Sequence, residues 1–238
     1  RRYFQRRFGL TFQGYHRARR MGLALEQLRG GANPLRVAID TGYDSASGFR
    51  DAFEKVFGTT PGKSGNVAPI RTAPLESPVG PMIAGATDAG VCLLEFADRR
   101  ALARQIETLK RRLGGTMIPG DNDHLVRLGA ELAEYFAGQR RQFSVEIVAP
   151  GTPFQEQVWA KLREVPYGTT WSYDQLARAI GRPGAHRAVA RANGDNRLAI
   201  LIPCHRILRA DGTLCGYGGG LWRKRFLLDL EQASAAHR

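Results

Sequence analysis

Leu198-Ala199-Ile200-Leu201-Ile202-Pro203-Cys204-His205-Arg206-Ile207 is the stretch from which the rest of the chain is read. Branched apolar residues at this density are buried, as a strand or in an extended segment. The run stops at Pro203, which restrains the backbone, and a cysteine, a histidine and an arginine follow. A buried element that ends by presenting Cys-His-Arg fixes a thiol at the floor of a pocket. Thiolate is the reactive form, and neighbouring cationic or basic groups lower its pKa. Cys204 therefore reads as a nucleophile rather than a packing residue.

At 238 residues the chain has room for one to three small domains with a real core. No apolar run approaches the ~20 residues that a membrane span needs, and no secretory signal is legible. Three cysteines do not make a disulfide framework in a chain this long, so the expectation is a reducing cytoplasm and no membrane. A monomer is expected. The formal net charge is +13. Residues 1–60 hold eleven Lys and Arg against five Asp and Glu, and residues 186–225 hold eight against two. Almost the whole excess lies in those two blocks, which reads as two surfaces facing a polyanion, with nucleic acid the expected partner.

Residues 1–62 read as helices punctuated by Gly and Pro. Asn33 caps a short helix with Pro34 at its first position. Gly42 turns the chain, and Ser45 to Phe57 makes a second helix with Phe49, Phe53, Val56 and Phe57 at helical spacing, closed by Gly58 and Pro61. This is a helix-turn-helix pattern. Thr11 to Leu28 reads as a linking helix with Tyr15, Ala18, Met21, Leu25 and Leu28 along one stripe. Phe4, Phe8, Gly9 and Thr11 echo Phe53, Phe57, Gly58 and Thr60. Because the second unit begins some twenty residues before Phe53, the first is expected to start upstream of Arg1, with at least one helix missing. The run Gly42-Tyr43-Asp44-Ser45, Gly48-Phe49-Arg50, Phe53, Phe57-Gly58 and Pro61 resembles the DNA-binding domain of the AraC family, two helix-turn-helix units joined by a long helix. The resemblance implies promoter DNA as a partner, contacted through Ser45 and Arg50, and RNA polymerase as another.

Residues 63–80, among and beside Pro61, Pro69, Pro74, Pro78 and Pro81, read as a linker. Met82 to Ala86 and Val91 to Phe96 form a hairpin about Asp88-Ala89-Gly90, with Cys92 as core. Helices over 99–113 and 121–137 follow, then a strand from Phe143 to Ile147. Residues 81–150 are expected to be a small α+β unit with no chemical motif, a scaffold.

Residues 151–238 are the chemical half. Thr152-Pro153-Phe154-Gln155 is a capping box that opens a helix with Phe154, Val158, Leu162 and Val165 on one face. Ser172 caps a short helix to Ile180, Gly181-Arg182-Pro183 turns, and a second helix spans 184–193. Ala185, Ala188, Ala190, Ala192 and Gly194 make that helix slim, which suits close approach to a minor-groove wall. Arg187 is placed to fill the gap left by an extruded base.

Pro203-Cys204-His205-Arg206 after an Ile/Leu run, with Thr169 to Tyr173, Asn196, Gly216-Tyr217 and Leu227 to Glu231, resembles the O6-alkylguanine-DNA alkyltransferase family over residues 152–231. The order of the two halves resembles the bacterial adaptive-response (Ada-type) regulators without their amino-terminal zinc domain. The implied fold is multi-domain, α and α+β: a truncated all-α AraC-type domain, a small α+β domain, then a mainly helical domain with a winged-helix-like helix-turn-helix. The implied reaction moves a methyl group from O6-methylguanine, or O4-methylthymine, in double-stranded DNA irreversibly to Cys204, one turnover per molecule and without a cofactor. Glu231 would orient His205, Asn196 would tie the active-site segment together, and Tyr173 would hydrogen-bond the flipped base. Tyr217 and Gly218-Gly219-Gly220 would line the pocket. Arg187, Ala188, Arg191, Arg206 and Tyr217 are the expected DNA contacts of this half. Cys204, Cys215, His186 and His205 have no paired-ligand spacing, so no metal is expected. Two competing readings are an AraC-type activator that senses alkylated DNA without repairing it, and a cysteine hydrolase, which unlike a stoichiometric acceptor would turn over repeatedly.

Overall fold

The structure is a computed structural model and describes residues 11–236. The echo at Phe4, Phe8 and Gly9 lies outside the described residues. Helix α1 (Phe12–Arg29) starts at the Thr11 cap and links to the helix-turn-helix pair α2 (Pro34–Asp40) and α3 (Ala46–Phe57). Asn33 and Ser45 cap α2 and α3 through their side chains, and Gly58 ends α3 in the left-handed conformation at φ +69°. Phe49 and Phe53 are buried against Met21, Leu25 and Val37, with successive ring centroids 5.6 Å (Tyr43–Phe49), 5.8 Å (Phe49–Phe53) and 4.6 Å (Phe53–Phe57) apart.

The expected linker at 63–80 is corrected. A 3-10 turn (Pro61–Asn66) leads into strand β1 (Pro69–Leu75), an interior strand of a four-stranded sheet with β2 (Met82–Thr87), β3 (Gly90–Phe96) and β4 (Thr116–Pro119) in the order β3-β2-β1-β4. Both prolines sit where one neighbour is missing. Pairing with β2 begins only at Arg71, beyond Pro69, and pairing with β4 stops at Thr72, before Pro74. A proline there leaves no ladder bond unmade. Helices α4 (Leu102–Leu113) and α5 (Asp123–Phe136) match the expected pair. The expected strand at Phe143–Ile147 is only a single bridge, Ile147 to Val91, on the outer edge of β3.

The sheet also carries the amino-terminal half. Ile118 of β4 joins the core of α1 to α3, Glu26 pairs with the buried Arg71 at 2.8 Å, and the Thr116 hydroxyl donates to the Val56 carbonyl at 3.2 Å.

Beyond Pro150 come α6 (Pro153–Arg163), with its full capping box, strand β5 (Trp171–Ser172), the helix-turn-helix pair α7 (Tyr173–Ala179) and α8 (His186–Gly194), strand β6 (Ile207–Leu208) parallel to β5, and α9 (Leu221–Ala236). The stretch 198–202 is not a strand. Leu198 makes one bridge to Leu94, and then the chain turns tightly, with Ile202 N donating to Leu198 O at 2.9 Å and Cys204 N to Ile202 O at 2.7 Å. Ile200 takes φ +71°, a region that costs a β-branched residue roughly 1–3 kcal/mol. The apolar density is that of a buried loop, and the strain is borne where the chain must lift a thiol off the edge of β3.

Candidate active site

Cys204 opens a 3-10 turn (Cys204–Arg206) and is 7 % exposed, at the floor of a narrow cavity of about 20 Å³. Asn196, itself buried, holds the loop together: its Nδ2 donates to Ile202 O at 2.9 Å and to Cys204 Sγ at 3.2 Å, and its Oδ1 accepts from Leu198 N at 2.9 Å. Burial pushes the Cys204 thiol up, against the pull of Asn196, Arg99 and Lys224. The expectation that neighbours alone lower this pKa is corrected. In the closed pocket the sulfur rests as a thiol, and it needs a base.

His205 is the next residue in the chain. Its Nε2 faces Glu231 Oε1 at 2.8 Å, and its Nδ1 is buried with no hydrogen-bond partner among the described residues. The carboxylate is the most heavily bonded group of the site: Tyr135 OH donates to Oε1 at 2.8 Å, Arg206 donates to both oxygens at 2.9 and 3.0 Å, and Gly168 N donates to Oε2 at 3.1 Å. Although burial opposes ionisation, the bonds from His205 and Arg206 bring the Glu231 carboxyl down to about 2. Burial lowers the His205 pKa, with Arg206 adding to the effect, so the imidazole stays neutral. An ionised Glu231 accepting from Nε2–H leaves the Nδ1 lone pair to take a proton.

Arg206 is therefore corrected from a DNA contact to the clamp on Glu231. It is buried, and its remaining Nη1 donates to Val165 O at 2.6 Å. Tyr217 lines the cavity beside Cys204, together with Gly216, Gly218 and Gly219, and its buried hydroxyl has no partner among the described residues. Tyr173, half-buried at the start of α7, stands outside that lining, beside Cys215 and Asn193. Burial first, and then Cys215, raise its phenol pKa, so it remains a proton donor. Arg187, Ala188 and Arg191 lie together on the exposed face of α8, while Val189, Ala192 and Asn193 face inward. Ser45 and Arg50 are exposed at the start and on the outer face of α3.

Sequence reasoning missed several groups. Tyr135 and Gly168 reach Glu231 from distant elements. Lys224, wholly buried, donates to the carbonyls of Ile207 and Cys215, the latter at 3.0 Å. Glu95 and Arg99 of the supposed scaffold line the cavity with Cys204. Only the acidic and basic residues closing an otherwise apolar hairpin strand could have signalled them. Among the described residues no cluster of three His, Cys, Asp or Glu side chains could hold a metal ion, and no helix is long and apolar enough to cross a membrane.

This geometry has relatives. Residues 153–233 match the family model described as "6-O-methylguanine DNA methyltransferase, DNA binding domain", and residues 1–64 match one described as "Helix-turn-helix domain". A methylated-DNA--protein-cysteine methyltransferase of Mycobacterium leprae is 38 % identical over 163 residues, which cover 68 % of this chain and 93 % of that protein. The chain belongs to the methylated-DNA--protein-cysteine methyltransferase family. The protein of that name from Mycobacterium tuberculosis is 53 % identical over 105 residues, 44 % of this chain and 64 % of the relative. A crystal structure of M. tuberculosis OGT in complex with DNA aligns with TM-score 0.59 and 39 % identity over 70 % of this chain and 94 % of that one. Family membership accounts for the carboxyl-terminal two thirds, and an AraC-type helix-turn-helix domain precedes it.

Proposed function

We propose that this chain removes the methyl group of O6-methylguanine in double-stranded DNA, and that of O4-methylthymine, onto Cys204, and that its amino-terminal half directs the same protein to promoter DNA in the cytoplasm. The observation that carries the reading is the buried constellation of Cys204, Asn196, His205 and Glu231 under a cavity that opens beside a slim, arginine-bearing helix. The helix α8 enters the minor groove, Arg187 takes the place of the extruded base, and the base moves into the cavity. The Cys204 proton passes through solvent to His205 Nδ1, and Glu231 stabilises the imidazolium. The sulfur then attacks the methyl carbon. The S–C bond forms as the C–O6 bond breaks, and its electron pair stays with the purine. Tyr173 and solvent return the proton to the base at N1, so thiol plus O6-methylguanine gives thioether plus guanine. A thioether offers no route back to thiol, which makes the reaction stoichiometric.

In the amino-terminal half, Ser45 and Arg50 face promoter DNA, RNA polymerase is the partner that an activator of this kind engages, and the protein works as a monomer. The decisive experiment is incubation with a duplex carrying one O6-methylguanine, followed by mass analysis of the peptide that contains Cys204. One added methyl group per protein, with guanine left in the DNA, is the expected result. Release of methanol with unmodified protein, or repeated turnover, would refute it in favour of hydrolysis.

A further inference from the structure

Glu95 and Arg99 lie outside the Cys-His-Glu machinery, yet they sit on the same cavity. Glu95, the next-to-last residue of β3, has no exposed surface, and its Oε1 accepts from Phe96 N at 2.9 Å. Its other oxygen pairs with Arg99 Nη1. The same guanidinium donates to Asn196 O at 3.2 Å and to Gly194 O at 2.6 Å, and Gln105 adds a second bond to Asn196 O at 3.2 Å. Gly218 packs on the Arg99 side chain so closely that an added Cβ would lie 2.4 Å from Cζ.

We propose that Arg99 is a positioning residue for alkyl transfer: its planar fork joins the carboxyl end of the DNA-facing helix α8 to Asn196, whose amide bonds the Cys204 sulfur, and anchors both on the sheet through Glu95. The inference rests on the repair reading above. Gly194 closes α8, where a cation meets the negative end of the helix. Asn196 carries the amide that touches Sγ. A rigid group with several donors in one plane can hold both carbonyls and a carboxylate at once, whereas an ammonium on a flexible stem cannot fix three directions. Through this fork the position of α8 on DNA and the position of the thiol are set by one side chain.

The charged and titratable groups that bear directly on the sulfur are Glu95 and Arg99 from the β3 side, Lys224 from α9, and the phenols Tyr173 and Tyr217, while His205, its neighbour in the chain, is held on Glu231. Of these, Glu95 raises the thiol pKa, and Arg99 and Lys224 lower it. Neutralising Glu95 alone therefore moves the sulfur toward thiolate.

The test uses the whole chain in single-turnover transfer from an O6-methylguanine duplex at saturating protein, reading amplitude and rate separately. Amplitude counts competent molecules and rate reports the chemistry. Arg99→Lys is expected to keep full amplitude and bind the duplex within about twofold of the parent, while the rate falls about tenfold. Glu95→Gln is expected to shift the pH–rate midpoint toward acid. An unchanged rate in Arg99→Lys overturns the proposal. So does a rate loss that is matched by lost amplitude and lost DNA affinity with no midpoint shift in Glu95→Gln, which would make the pair a structural tie only. If the parent itself transfers no methyl group, the repair reading fails rather than this one.

Discussion

The two helix-turn-helix units of the chain differ in what their second helices are fastened to. Helix α3 stands on aromatic rings: Phe49 and Phe53 are buried, and the helix ends in a left-handed glycine that sends the chain away. Helix α8 stands on Val189 and Ala192, so its axis lies close to what it covers. Its carbonyl end is bonded from outside the unit, by Trp159 Nε1 to Ala192 O at 2.8 Å and by Arg99 to Gly194 O. Two residues beyond it comes Asn196, whose amide bonds the Cys204 sulfur. On the proposed function, one helix is a reader that stands apart from the chemistry, and the other is a lever whose far end is the active site.

The largest effect expected from breaking that contrast is at the sulfur. Cys204→Ala removes the acceptor, so methyl transfer is abolished, while binding to unmodified and alkylated duplexes persists in a mobility-shift assay. Loss of binding along with transfer would show that the thiol loop also shapes the DNA face. Glu231→Gln comes next. An amide cannot stabilise the imidazolium, and the loss of general-base assistance lowers the rate by about 10²–10⁴. It also leaves Arg206 buried without its counter-charge, a change on the order of 3–5 kcal/mol in stability, visible as a lower thermal midpoint. A substitution that lowered the midpoint but kept the rate would remove Glu231 from the chemistry.

Acid acts on the same pair. With its folded pKa held at about 2, against 4.5 for a free carboxyl, Glu231 contributes on the order of 3 kcal/mol of stability. That contribution is complete above 4.5 and is lost as pH falls from there to 2. His205 works in the same direction. Its folded pKa is lowered, so below the ordinary 6.5 the unfolded chain binds a proton that the folded chain does not, and stability declines as pH falls. Single-turnover transfer is expected to persist to a lower pH than an unperturbed imidazole would allow, because burial favours the neutral His205 ring. A rate that follows an unperturbed imidazole would contradict that arrangement.

The caps and turns of both halves were legible, because Asn33, Ser45, Thr152 and Ser172 satisfy helix ends within a few residues of themselves. So was the His205–Glu231 pair, through the short motif around Cys204 and the position of Glu231 near the end of the chain. What was not legible depends on long-range placement. Proline density spoke for a linker over β1, and only the staggered lengths of β2 and β4 make its prolines harmless. Ile200 belongs to an apolar run that reads equally as strand or loop, and its positive φ is set by the Asn196 bonds around it. Arg206 is expected from the sequence to be a DNA contact of the carboxyl-terminal half. Its partner, twenty-five residues away, could be found only in three dimensions. Glu95 and Arg99 are short-range neighbours of each other but not of the thiol, and nothing in their spacing points to it.

The smallest effect is the one that separates the two helices most cleanly. Arg187 and Arg50 are both exposed arginines on the outer faces of second helices, so each should neutralise phosphate charge and soften the salt dependence of binding when removed. If α8 is a lever and α3 a reader, the substitutions part company on the substrate. Arg187→Ala should weaken the complex with a duplex carrying a flipped O6-methylguanine by about tenfold more than that with unmodified DNA, since it removes the group that fills the stack. Arg50→Ala should lower affinity for both duplexes alike and leave the single-turnover rate at saturating DNA untouched. Paired titrations with the two duplexes at two salt concentrations measure both quantities. Equal discrimination loss in the two variants would mean that the helices share the damage site, and the division between reading and delivery would have to be drawn elsewhere in the chain.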